Sequence, residues 1–176
     1  MKITTCCRLT LEVSAENMAL AEKITKMINI IIPGQEMTVE AVADLAVYGI
    51  FFADTDGNQG MNRKLAGNLE KEVKIAENRL ISAGMADKIP APEQAEAKEI
   101  TVLCDYIVEI SMENFVLAKE TADAEWEILG NPSSLSLVLD REISRTGVKS
   151  TDTQEEINRK LTEILRKKLE ETLKKS

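Results

Sequence analysis

The chain has 176 residues, 44% hydrophobic, 30% charged and 3% aromatic, and contains no histidine. The missing imidazole excludes Ser-His-Asp and Cys-His catalysis and Glu-x-x-His metal sites, because histidine titrates near neutral pH and is the commonest metal ligand. A net charge of −8 argues against unaided attraction to nucleic acid or anionic lipid, and the length is that of one domain that buries its own core.

Residues 2–13 alternate, with Ile3, Thr5, Cys7, Leu9, Leu11 and Val13 on one face and polar side chains on the other, which is strand periodicity. A lone strand cannot satisfy its backbone, so it pairs either with the other alternating stretch, Leu135, Leu137 and Leu139, or with a second subunit. Met1 to Cys6 lack the apolar run of a signal peptide, and no stretch is long enough to span a bilayer. The expectation is a cytoplasmic chain whose three cysteines, Cys6, Cys7 and Cys104, stay reduced and have no zinc spacing, with Cys6 and Cys7 inert on opposite strand faces.

Ser14 is the N-cap of an expected helix running to Ile32, stopped by Pro33-Gly34. A second helix follows Thr38 and continues to Ala53, before the turn cluster Asp54 to Gly60. That cluster resembles the opening of a calcium loop, but Gln59 stands where the sharp-turn glycine belongs and Leu65 where the bidentate glutamate belongs, so it reads as a turn. A third helix over 62–83 carries an apolar stripe through Leu65, Leu69, Val73, Ala76 and Leu80, with Gly84 at its C′ position.

Beyond Pro90 and Pro92 one long helix is expected over 93–129, ended by Gly130-Asn131-Pro132. At 1.5 Å per residue it would span about 55 Å, so it kinks near 111–114 or projects towards a partner. Residues 133–145 fit a helix or a strand. Thr153 and Glu156 form a capping box that opens an amphipathic helix over 154–175. Neither an internal repeat nor a low-complexity stretch is expected.

On the long helix, Asp105, Glu109, Glu113, Glu120, Asp123 and Glu127 fall on one side of a helical wheel. This acidic stripe is a solvated face, a dock for a basic protein surface, or a carboxylate metal site built on Asp105, Glu109 and Glu113. Lys64, Lys71 and Lys74 on the third helix are its internal counterpart or contact phosphates. The last helix looks basic, yet Glu156–Lys160, Glu163–Lys167 and Glu170–Lys174 are spaced to pair with one another. Lys168 falls inside its apolar stripe near Ile164.

These features predict a mainly α fold: a single five- to six-helix bundle over 1–176, with one long central helix and a short N-terminal strand or hairpin-like pairing. The expected function is a non-enzymatic interaction or assembly subunit that binds a protein partner or itself and needs no cofactor. The alternatives are a small helical nucleic-acid-binding subunit, as in RNA-guided defence or phage assemblies, and a carboxylate-based metal-dependent enzyme.

Overall fold

A computed structural model describes residues 1–130 and 133–175. Its elements in chain order are β1 (Lys2–Val13), α1 (Ala15–Ile31), α2 (Val39–Val47), β2 (Phe51–Ala53), α3 (Gly57–Ser82), a 3₁₀ turn (Ala86–Lys88), β3 (Lys98–Glu109), α4 (Met112–Leu129), α5 (Leu135–Arg145) and α6 (Gln154–Leu173). The expected helical bundle is corrected: six helices pack on a mixed three-stranded sheet of order β1-β3-β2, an α/β fold among the described residues.

The long helix over 93–129 is two elements. Residues 98–109 form β3, and the chain turns into α4 at Ser111, whose hydroxyl accepts the Asn114 N–H. Ile100, Val102, Cys104, Tyr106, Val108 and Ile110 are all buried and alternate with outward residues. Leu103 and Ile107 in the outward phase blur this alternation, which is why the run also fits a helix. The expected stop at Asn131 and Pro132 lies outside the described residues, while Gly130 ends α4 in the left-handed conformation at φ 61°.

Three further expectations change. β1 pairs antiparallel with β3, and the stretch at Leu135 belongs to helix α5 instead of a partner strand. α2 stops at Val47, where the chain turns through Gly49 (φ 77°) so that Phe51–Ala53 can pair parallel to β3. α3 begins at Gly57, inside the expected turn, because Asp56 accepts the Ala53 N–H at 2.7 Å and Asn62 ties the first helical turns to β1. The Ser14 and Thr38 caps and the Thr153–Glu156 capping box are present.

The chain is also an internal repeat, contrary to expectation. At the end of β1, Asn62 of α3 accepts the Ser14 N–H at 2.8 Å, donates to the Glu12 and Asn58 carbonyls, and receives the Asn17 amide. At the end of β3, Asn158 of α6 accepts the Ser111 N–H at 2.7 Å, donates to the Glu109 and Gln154 carbonyls, and receives the Asn114 amide. Lys64–Asp56 (2.6 Å) has its counterpart in Lys160–Asp152 (2.7 Å). β2 flanks β3 in parallel, as Lys149 bridges to Thr10 on β1 in parallel. Glu12-Val13-Ser14-Ala15-Glu16-Asn17 and Glu109-Ile110-Ser111-Met112-Glu113-Asn114 are the same segment in the two halves, as are Asn62-Arg63-Lys64-Leu65 and Asn158-Arg159-Lys160-Leu161. Cys7 stands opposite its own equivalent, Cys104, so a pseudo-two-fold axis runs between these two residues.

The two halves share one core. Cys7, Leu9, Leu11, Val102, Cys104 and Val108 on the inner sheet face join buried residues of all six helices. α2 lies along β3, with the Asp44 carboxylate accepting the Leu103 N–H at 3.3 Å. α5 lies along β1, with the Ser144 hydroxyl donating to the Cys6 carbonyl at 3.4 Å. The outer face of the sheet has Thr4, Cys6 and Arg8 exposed on β1 and Thr101 and Leu103 exposed on β3.

Candidate interaction surface

Alternation along each strand decides what this outer face presents. Phe51 of β2, Asp105 of β3 and Cys6 of β1 are register neighbours and form one row across it. Ala53, Ile107 and Thr4 form the next row, and Leu103 lies opposite Arg8. At the rim, α2 ends in Tyr48, and Tyr48, Gly49, Leu103, Asp105 and Cys6 line one hollow. Three large apolar side chains are therefore exposed on this face and its rim: Tyr48 at 87%, Phe51 at 51% and Leu103 at 59%.

The repeat supplies a control within the same chain. The positions equivalent to Tyr48, Phe51 and Leu103 hold Ser144, Gly147 and Cys6. One half thus folds with a small or polar edge where the other exposes three large apolar groups.

The opposite divergence occurs on the inside. Glu125 and Glu142 are buried, and three cations reach them: Arg141 Nη2 lies 2.9 Å from Glu125, Arg141 Nε 2.6 Å from Glu142, Arg145 2.9 Å from Glu142 and Lys168 Nζ 3.3 Å from Glu125. The equivalents of Glu125, Arg141 and Glu142 are Ile28, Leu45 and Ala46. Burial pushes the Glu125 carboxyl up, but Ser133, Arg141 and Lys168 together hold it below the usual carboxylate range. The sequence signal for this network was Lys168 inside the apolar stripe, since a cation there needs a buried carboxylate to meet.

The acidic stripe is not one helix face. Asp105 and Glu109 are on β3, four residues and hence about 13 Å apart along the strand, and the other four carboxylates are on α4. Glu113 meets Arg166 of α6 at 2.5 Å and Asp123 meets Lys119 at 3.4 Å. Glu120 and Glu127 are exposed. Among the described residues no three Cys, Asp or Glu side chains come together to hold a metal, so Asp105, Glu109 and Glu113 do not form the expected ligand set.

Lys64 does not answer the stripe either, since its ammonium pairs with Asp56 and donates to the Phe51 carbonyl at 2.8 Å. Lys71 and Lys74 are exposed and make no ion pair among the described residues. The expected Glu-to-Lys pairs of α6 are replaced by Arg159–Glu163 (2.9 Å) and Lys167–Glu171 (3.9 Å), with Glu156 engaged in the capping box.

Cys6 is exposed on the outer face. Burial, then the negative charges of Asp105 and Asp140, push its thiol up and disfavour the thiolate. Cys7 and Cys104 are buried at the axis, where a hydrogen bond to Cys7 and burial push the Cys104 thiol up. No described helix is long and apolar enough to cross a membrane. Comparison of the chain with family models, curated proteins and solved structures gives no match.

Proposed function

We propose that this chain is a non-enzymatic interaction and assembly subunit that binds a protein partner through its outer sheet face and the α2 rim. The observation that carries this reading is the group Tyr48, Phe51 and Leu103, exposed at positions where the other half of the same fold is small or polar. Apolar groups that the fold does not require are retained at a cost in solubility, and contiguous exposed apolar patches mark interaction sites. Tyrosine and phenylalanine are enriched in the cores of such interfaces. Met112, Val116 and Trp126 are exposed on α4 as well, but Lys119, Glu120, Asp123 and Glu127 are interleaved with them, which is ordinary single exposure.

The test transplants the polar edge. A triple variant, Tyr48→Ser, Phe51→Thr and Leu103→Thr, is expected to melt within about 4 °C of the wild type, a change of no more than about 1 kcal/mol. Immobilised wild type is expected to retain a partner, itself or another protein, that the triple variant does not. A large loss of thermal stability would show that these side chains serve the fold, and equal capture by both proteins would move the binding surface elsewhere.

A further inference from the structure

We infer that the partner of this surface is a second copy of the chain, packed sheet face to sheet face with β1 of one copy over β3 of the other. This rests on the interaction reading and names its occupant. Charge and size divide across the pseudo-two-fold axis in a way that fits a second copy.

On β1 the outer side chains include Lys2 and Arg8, whereas their equivalents on β3 are Glu99 and Asp105. Glu109 adds a third carboxylate on the β3 side and its equivalent Glu12 adds one on the β1 side, so the outward charges of the two strands still differ in sign, two cations against one carboxylate on β1 and three carboxylates on β3. Among the described residues none of Lys2, Arg8, Asp105 and Glu109 is engaged in a salt bridge, so their charges are available across an interface. Size divides the same way. The β3 side presents Leu103, Ile107 and Phe51, and the β1 side presents Thr4, Cys6 and Thr10. A surface basic and small on one half, acidic and bulky on the other, is complementary to itself.

A two-fold axis parallel to the strands, between β1 and β3, fulfils both conditions. Rotation about it places each β1 residue over the β3 residue that it faces in the register. Lys2 then lies over Glu109, Thr4 over Ile107, and Arg8 over Leu103 beside Asp105. Phe51, one strand further out, comes over the edge where Ser144 meets the Cys6 carbonyl. Glu12 comes over Glu99, and Lys149, 3.9 Å from Glu99, offsets that repulsion. Such a contact is isologous and closes at two copies.

Sedimentation velocity of the full chain, from micromolar to millimolar protein at low and high salt, tests this. The expected mass rises with concentration from 19.5 kDa to twice that value, and less readily at high salt. Arg8→Asp or Asp105→Arg alone is expected to weaken self-association about tenfold, and the two together to restore it to within about threefold. Lys71→Glu, on the exposed side of α3, is expected to change nothing. A mass of 19.5 kDa at every concentration, or a double reversal no better than either single one, overturns the inference. If the triple variant is as stable as the wild type while the wild type stays monomeric, only the second copy is lost. If the triple variant melts early, the interaction reading itself fails.

Discussion

At the scale of single residues, the two halves solve the same packing problem in different chemistry. Where the first half places Ile28, Leu45 and Ala46, the second places Glu125, Arg141 and Glu142 and neutralises them with Arg145 and Lys168. Removing one member of a buried ion network leaves its partners unpaired, so Glu142→Ala alone is expected to cost about 3 kcal/mol in urea unfolding. Replacing Glu125, Arg141 and Glu142 by the first half's residues together with Lys168→Leu, so that no cation is left in the apolar stripe without its carboxylate, is expected to cost less than that single change, because desolvation is relieved along with the attraction. A combined replacement as costly as or costlier than Glu142→Ala would mean that the network holds the second half in a way the apolar version cannot.

At the scale of elements, the β1-to-α1 and β3-to-α4 junctions are each tied by a serine cap and an asparagine from a helix much later in the chain. Asn62 and Asn158 each satisfy backbone groups of the departing strand together with a partner asparagine. Equal roles predict equal costs. Asn62→Ala and Asn158→Ala should each destabilise by about 3 kcal/mol, and by amounts agreeing within about 1 kcal/mol, in denaturant titrations. A large cost at one site and none at the other would show that only one half depends on the tie.

These junctions also mark the limit of what the chain reveals unaided. β1, the Ser14 and Thr38 caps and the capping box are legible because each depends on residues within a few positions. β3 was hidden by its outward Leu103 and Ile107, which surface packing explains and strand periodicity does not. The repeated segment Ser-x-Glu-Asn after a strand, and the later Asn-Arg-Lys-Leu, were the signals for both β3 and the duplication. They are short, lie half a chain apart and resemble no repeat of the usual 20 to 50 residue period, so local reading passes over them. The interaction surface was not legible at all. Its members come from α2, β2 and β3, and only the register of the sheet makes neighbours of Phe51, Asp105 and Cys6.

At the scale of the whole molecule, duplication gives a sheet with one face packed by helices of both halves and one face left open, with the pseudo-two-fold axis passing between Cys7 and Cys104. Divergence then made the open face unequal about that axis, acidic and bulky on one side, basic and small on the other. On the proposed function, the molecule works by covering this face. Hydroxyl-radical footprinting of the wild type at dilute and concentrated protein tests it directly, because it reads the same exposed apolar side chains in one sample. Oxidation of Phe51 and Leu103 should fall as concentration rises, while Met112 and Trp126 on α4 react equally in both. Protection of Met112 and Trp126 with Phe51 and Leu103 unchanged would contradict it.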